Sequence, residues 1–366
     1  MNNRILHVSC GGLGYGGVST VIFSIVQTLH EQFEFDCVVF KKRWNREDIF
    51  KKYGNLYKIN AYNDDGKRHL FELIFRPLRL YAGIYNICKR NKYQAIHCHN
   101  SNEEGICLLA AMHAGVKVRI AHSHTSSSTC KKSFLRKLVE YINQKLMIYA
   151  ATEKIGCSEE ACRSFFGKTD YRVVVNSIDL DKFRITDRIN HSKLTFVHVG
   201  RYTYSKNQDM IIRVFQRINQ QLSDSQLLLV GYGEDEEKLK STIHELNMES
   251  VVKLVPGDRV QVSKIYAVSD YMIFPSLYEG FGIVLIEAQA MGIPCFVSEK
   301  IQKEADVGLL TYINLNAGIE AWSDTILDYV KAKHEIDMGN LTNRLYLYSN
   351  ESIGKQYASI YEGRAK

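Results

Sequence analysis

Short apolar runs alternate with amphipathic stretches along this chain, and the alternation starts afresh near its middle. ILHVS, FDCVVF, YQAIHC, KVRIAHS, KIGCS and RVVVN have the length and β-branched content of buried strands. Between them lie helical stretches such as VSTVIFSIVQTLH, LLAAMHAG and FLRKLVEYINQKLMIYA. The second series has LTFVHVG, QLLLVG, VVKLVP, YMIFP and IPCFVS as strands, separated by helices such as NQDMIIRVFQRINQQL and EDEEKLKSTIHEL. Strands that are buried on both faces and joined through helices pair in parallel. The sequence therefore predicts an α/β protein of two Rossmann-like, doubly wound parallel-sheet domains. The rhythm lapses over VVNSIDLDKFRITDRINHSKLTF, so the expected domains are 1–183 and 184–349. In such sheets ligands lie beyond the carboxyl ends of the strands, and two facing domains enclose a cleft.

A chain of 366 residues is long for one domain and natural for two. It contains no uninterrupted apolar stretch of spanning length and no basic-then-apolar leader. Its nine cysteines are scattered singly, without a C-x-x-C, which points to reduced thiols and a cytoplasmic location. The net charge of +7 is uneven. Residues 1–183 hold 27 Lys+Arg against 17 Asp+Glu, and residues 184–366 hold 20 against 23. Only the front half suits an anionic partner, such as a phosphorylated substrate, an anionic lipid surface or nucleic acid; solvated surface lysines give the same balance.

Gly12-Leu13-Gly14-Tyr15-Gly16-Gly17 fits G-x-G-x-x-G between a strand and a helix. A dinucleotide enzyme also needs an acidic residue at the far end of the second strand. The only candidate, Asp36, stands at the start of FDCVVF, whose exit carries Lys41-Lys42-Arg43. Those cations would suit an NADP-dependent oxidoreductase. A turn that uses glycine only for close packing is the plainer alternative.

The second half is more specific. Val199-Gly200-Arg201 ends a strand and Lys206-Asn207 opens the next helix. Further on, in PSLYEGFGIVLIEAQAMGIPCFVS, Glu279 and Glu287 are separated by seven residues and Gly280-Phe281-Gly282 follows the first. IVLIEAQAMG reads as a helix, with Glu279 on the loop before it and Glu287 about one turn inside. Two fixed cations, a glycine turn whose N–H groups are approachable, and a helix N-terminus make a diphosphate cradle. Carboxylates accept hydrogen bonds only, and so suit sugar or ribose hydroxyls.

These segments resemble the nucleotide-sugar-dependent retaining glycosyltransferases of family four, which have the GT-B architecture. EGFGIVLIEAQAMGIP matches the family's E-x7-E motif, and VGRYTYSKNQ and LLLVGYGEDEEKLK match as well. The likeness continues through GYGGVSTVIFSIVQTL, IHCHNSNEEG, VRIAHSHTS, IGCSEEACRSFFG and VVNSIDLDKF. Among its members, bacterial enzymes of capsular and extracellular polysaccharide synthesis are nearest. The resemblance implies that Glu279 lies at the donor sugar and Glu287 at the ribose. It puts Arg201 and Lys206 on the diphosphate, with the amides of Gly280, Phe281, Gly282, Ile283 and Val284 completing the site. Gly16 and Gly17 would close on the phosphates, and His124 would stand in the catalytic pocket, with His122 the less favoured register. The donor would be a nucleotide sugar, most readily UDP-linked, carrying a hexose or N-acetylhexosamine. The acceptor would be a lipid-linked saccharide or a polysaccharide.

Negative charge left on the departing phosphate needs stabilising. Arg201, Lys206 and a helix dipole can supply this, so the expectation is metal-independent transfer with no cofactor. His97-Cys98-His99 and His122-Ser123-His124 place imidazoles on one strand face, where chelation is geometrically possible, but no carboxylate or cysteine spacing supports a metal, so none is expected. Asp179-Leu180-Asp181 falls in the connection between domains and reads as accidental. Asn176-Ser177-Ile178-Asp179 departs from the family's Asn-Gly-Ile/Val-Asp, which restricts the backbone and puts a normal domain closure in question. NESIGKQYASIYEG resembles the family's last helix, so about 350–366 should return to the first domain.

Lys131, Lys132, Arg136 and Lys137 lie among apolar residues in CKKSFLRKLVEYINQKLMIY, and HLFELIFRPLRLYAGIYNICKRNK is similar. Both suit an anionic membrane surface, although covering the sheet explains most of their apolar positions. Rival readings are the NADP-dependent oxidoreductase and a non-enzymatic nucleotide-sugar or nucleic-acid binding protein; under the resemblance nucleic acid is not a partner.

Overall fold

The protein is described by a computed structural model, which covers residues 3–9, 12–14, 16–40, 46–59, 70–99, 103–124, 134–257, 261–332 and 334–364, without the side chains of 70–74 and 134–136. Lys41, Lys42, Arg43, Lys131, Lys132 and the side chain of Arg136 lie outside the described residues.

Two compact units emerge: residues 1–177 with 350–366, and residues 178–349. The first holds seven strands, β1 (Arg4–Ser9), β2 (Glu34–Val39), β3 (Leu56–Lys58), β4 (Ala95–His99), β5 (Val118–Ser123), β6 (Glu153–Gly156) and β7 (Arg172–Val173). They lie in the order β3-β2-β1-β4-β5-β6-β7, all parallel. The second holds β8 (Leu194–Val199), β9 (Ser225–Gly231), β10 (Val252–Pro256), β11 (Tyr271–Phe274), β12 (Cys295–Ser298) and β13 (Leu310–Ile313). Their order is β10-β9-β8-β11-β12-β13, again all parallel. Each sheet thus winds outward both ways from its first strand, and the order reverses between β1 and β4 and between β8 and β11. At such a reversal neighbouring loops diverge and leave a crevice.

Core packing follows the two faces of each strand. In the first unit Ile5, Cys37, Val39, Ala95 and Ile120 face one layer with Phe23, Tyr357 and Tyr361, while Leu6, Val8, Val38, Ile96, Cys98 and Ala121 face the other. The helix Gly17–Leu29 covers the first of these faces beside the terminal helix Asn350–Tyr361. Their approach is close: a Cβ on Gly354 would lie 2.7 Å from Thr28 Cγ2. The seven described cysteines, Cys37, Cys88, Cys98, Cys107, Cys157, Cys162 and Cys295, are buried free thiols.

The chain crosses between units at 177/178 and 349/350. Ser177 carries no positive φ, so serine is unstrained where the family resemblance has glycine. Its hydroxyl lies 2.6 Å from Ser24 Oγ, which donates to Asn350 Oδ1 at 2.7 Å. Within the second unit Ile178 donates to the Tyr348 carbonyl at 2.9 Å and bridges Ser349. Asp179 and Asp181 pair locally with Lys182 and Arg184 at the surface, and Asp179 also accepts from the Asp181 N–H.

Ile353, Tyr357, Ile360 and Tyr361 are all essentially buried in the first unit. Burying each is worth about 1.5–3 kcal/mol, and a whole domain has only about 5–15 kcal/mol of net stability. Truncation after Ser349 is therefore expected to unfold the first unit while 178–349 keeps a cooperative transition. Calorimetry on the truncated chain checks this, and two undisturbed transitions would contradict it.

Candidate active site

The loops of interest in the second unit leave the two strands that flank its reversal. After β8 the chain runs through Gly200, Arg201 and Lys206, and after β11 through Glu279 to the helix Ile283–Ala290. The loops are fastened together. Leu277 donates its N–H to the Ser205 carbonyl at 2.8 Å, and Asn207 Nδ2 donates to the Pro275 carbonyl at 3.3 Å. Asn207 adopts a left-handed conformation (φ 56°) before the helix Gln208–Gln221. Behind them His198 stacks on Phe274 and holds the Ile273 carbonyl with Nδ1 at 3.0 Å. Gln208 donates to the Arg201 carbonyl at 2.8 Å, which fixes the backbone that carries this cation.

Lys206 forms an ion pair with Glu279, both part-buried, and its ammonium lies 5.3 Å from the centre of the Phe274 ring. The Arg201 guanidinium is exposed and forms no ion pair among the described residues. Gly282 opens the following helix with φ +80°, a conformation that a side chain rarely tolerates. That turn aims the first N–H groups of the helix, including Ile283 and Val284, away from any intrahelical acceptor. Phe281 is buried against Tyr348, so at this position only its backbone is available to a ligand. Glu287 sits one turn into the helix, part-buried and without a hydrogen bond or ion pair to its carboxyl among the described residues. Burial pushes its pKa up from 4.5 to about 8.

In the first unit, Gly16 and Gly17 start the helix after β1. Gly16 has φ −85°, neither residue has positive φ, and a Cβ on either would meet nothing within 4 Å. Nothing among the described residues of the unit requires glycine there. His124 stands just past β5, 8% exposed, whereas His122 within β5 is fully buried. His124 is the end of a hydrogen-bonded file of imidazoles: His7 Nδ1 to His99 Nε2 at 2.8 Å, then His99 Nδ1 to His124 Nε2 at 2.9 Å. A second file runs from the Tyr361 hydroxyl to His97 Nδ1 at 2.8 Å, then from His97 Nε2 to His122 Nδ1 at 3.0 Å. Burial depresses the pKa of all five, with His7 and His124 lowered to about 3, so each is neutral near pH 7. The His97/His99 and His122/His124 pairs were visible as alternating residues. His7, which starts the first file, was not, because a single histidine in a strand has no periodic signal.

Asp36 has a structural task. It accepts from Arg4 at 2.8 Å, from the Asn55 N–H at 2.7 Å and from the Tyr93 hydroxyl, and it is buried. Its position at the start of β2 and its full set of partners disfavour a ribose-binding role, and with it the oxidoreductase.

Two Rossmann-like domains, with cations and carboxylates gathered at the strand reversal of the second, define a sugar-transferring enzyme of the GT-B type. Residues 15–182 match the family described as Glycosyltransferase Family 4, and residues 180–307 match Glycosyl transferases group 1. Both matches describe glycosyltransferases, and together they run from residue 15 to residue 307, which marks the chain as a glycosyltransferase. It is 27% identical to the UDP-Gal:alpha-D-GlcNAc-diphosphoundecaprenol alpha-1,3-galactosyltransferase of Escherichia coli, over 74% of this chain and 79% of the relative. It is 22% identical to the capsular polysaccharide biosynthesis glycosyltransferase CapH of Staphylococcus aureus, over 92% and 93%. The crystal structure of Anabaena Alr3699/HepE in complex with UDP-glucose shares the fold, with a TM-score of 0.77 at 16% identity over 98% and 99% of the two chains.

The Glu287 pKa has a consequence for stability. An unfolded chain releases this proton near pH 4.5 and the folded one near 8. The folded state binds the extra proton in between, so stability falls as pH rises through that window and levels off above it. Glu287→Gln removes the effect. Its melting temperature relative to the native chain should rise between pH 5 and pH 8, and parallel melting curves would contradict this.

Proposed function

We propose that this enzyme transfers a hexose or N-acetylhexosamine, with retention, from a UDP-sugar to a lipid-linked or polysaccharide acceptor in capsule or exopolysaccharide synthesis. The observation that carries the reading is the joined pair of loops at the β8/β11 reversal, with Arg201, Lys206, Glu279 and the start of the helix Ile283–Ala290. Support for the donor comes from the relative named for UDP-Gal and the neighbour solved with UDP-glucose. Support for the acceptor comes from the diphosphoundecaprenol in the first name and the capsular pathway in the second relative's.

In this reading Arg201 and Lys206 hold the diphosphate, and the N–H groups of Gly280 through Val284 add donors beside it. Cleaving the sugar–phosphate bond leaves charge on the phosphate, where fixed cations and a helix N-terminus stabilise it without a divalent metal. Lys206 is held by Glu279 in the free enzyme; the diphosphate competes for this ammonium and leaves Glu279 to accept from sugar hydroxyls. Glu287 accepts from the ribose. Gly16 and Gly17 let backbone approach the phosphates, consistent with the open space where their side chains would be. His124 binds a hydroxyl of the sugar or acceptor through Nδ1, which is buried and has no hydrogen-bond partner among the described residues. No cofactor takes part.

We place the enzyme in the cytoplasm, resting on the inner face of the cell membrane. No helix among the described residues is long and apolar enough to cross a membrane. The helices Leu70–Asn91 and Phe134–Ala150 both pack on Glu104–His113, and they expose Phe75, Leu78, Leu138, Tyr141, Ile142 and Tyr149. Such residues beside Arg79, Lys137 and Lys145 suit an anionic interface.

Incubation with a panel of UDP- and GDP-sugars in EDTA should give nucleotide release with a UDP-sugar. Glu279→Gln should lower that release at least 100-fold while UDP binding persists, because Lys206 is then unpaired. Full turnover in this variant, or none from the native enzyme without a metal, would refute the assignment. In liposome flotation the protein should rise with anionic vesicles and not with neutral ones; equal behaviour would remove the membrane reading.

A further inference from the structure

The five imidazoles of the first unit are brought together by strand order. β1, β4 and β5 are adjacent, and His7, His97, His99 and His122 project from them toward one face, with His124 following. Packing alone asks for apolar side chains at such positions. A sheet interior with five imidazoles must satisfy ten ring nitrogens, and three have no partner among the described residues: His7 Nε2, His122 Nε2 and His124 Nδ1. An unmade hydrogen bond on a buried polar atom is costly, because the atom has given up water and gained no partner. The arrangement is therefore poor as a core and good as something else.

One ring nitrogen from each of His99, His122 and His124 lies within 4.8 Å of the other two. The hydrogen bonds point to His122 Nε2, His99 Nδ1 and His124 Nε2 as the candidate ligand atoms. His122 uses Nδ1 on His97 and keeps Nε2 free; His99 uses Nε2 on His7 and offers Nδ1, which meets His124 Nε2. We propose that His99, His122 and His124 form a binding site for a d-block divalent cation, zinc being the best fit. Imidazole nitrogen suits zinc, copper, iron and nickel and does not suit magnesium. Three protein nitrogens leave a fourth position open to water or to a ligand oxygen. The cation replaces the proton shared by His99 and His124, and that proton moves along the file to a terminal nitrogen, so every ring stays neutral and none is released.

The remaining two histidines then have a purpose. A metal-bound imidazole keeps its orientation when its other nitrogen donates to a fixed acceptor. With the cation bound, His99 Nε2–H would donate to His7 Nδ1 and His122 Nδ1–H to His97 Nε2, whose own Nδ1–H would donate to the Tyr361 hydroxyl; these are the pairs found at 2.8, 3.0 and 2.8 Å. Both donor sets lie in the interior beside the terminal helix. His124 is the least buried of the five, at 8% exposure, and lies at the end of the first file.

The test uses the full chain without a polyhistidine tag, stripped with EDTA and titrated with Co(II) and then Zn(II). The expected result is one equivalent of Co(II) giving the visible bands of a low-coordinate nitrogen site, displaced by one equivalent of Zn(II), with Mg(II) giving no response. His99→Phe and His122→Phe should abolish the bands, and His97→Phe should weaken binding about 10–100-fold. Absence of Co(II) bands and of Zn(II) binding heat in the native chain would overturn the proposal. Unchanged affinity in folded His99→Phe and His122→Phe would overturn it too. If those variants do not fold, the ring ¹⁵N signals of the native chain decide: His99, His122 and His124 must shift with zinc while the histidines of the second unit do not. Occupancy also withdraws His124 from a sugar, so Zn(II) should inhibit transfer and EDTA restore it. This last effect rests on the role of His124 given above, whereas the binding titration does not.

Discussion

Parallel pairing of β8 with β11 is the constraint on which the candidate site of the second unit depends. Strand order reverses there, so the two loops leave the sheet toward opposite neighbours and their bases stay one strand spacing apart. Everything placed in that gap is held from both sides: the Ser205–Leu277 and Asn207–Pro275 hydrogen bonds join the backbones, and Lys206 meets Glu279 across them. An ion pair at a half-buried site is a modest source of stability. Its value here is geometric, because it ties a flexible ammonium to the neighbouring loop beside the Phe274 ring.

The first unit solves a different problem with the same topology. Its reversal, between β1 and β4, sends a glycine-rich turn one way and the strand with two imidazoles the other. Gly12 takes a positive φ of 84°, whereas Gly16 and Gly17 do not, and a Cβ on either of the latter would meet nothing within 4 Å among the described residues. The histidine files run across the sheet rather than along it. A change at His7 is therefore felt at His124, two strands away, through the tautomer of His99 alone.

Much of this was legible from residues because buried parallel strands carry a continuous apolar signal and the E-x7-E spacing places two carboxylates on either side of a helix start. The strands that escaped are β3, three residues long, and β13, four residues and mostly half-buried. Edge strands of that length have too few buried positions to stand out from a loop. RVVVN read as a strand throughout, yet only Arg172–Val173 pairs with β6; the rest leads into the crossing at Ser177. The Lys206–Glu279 pair was also invisible, since nothing in the spacing of two residues in separate loops tells whether they touch. Nor did the sequence disclose that Asp36 is satisfied by Arg4, Asn55 and Tyr93, three partners far apart in the chain.

The return of residues 350–366 to the first unit sets an order of events on the ribosome. The first sheet is synthesised early, but Tyr357 and Tyr361, which complete one of its faces and cap the His97 file, are the last core residues to emerge. At about 5–20 residues per second, translating the intervening 178–349 takes on the order of 10–30 s. For that interval the apolar surface beside the helix Gly17–Leu29 lies open, so the nascent chain is a natural client for chaperones and the second unit is the first to reach its final form.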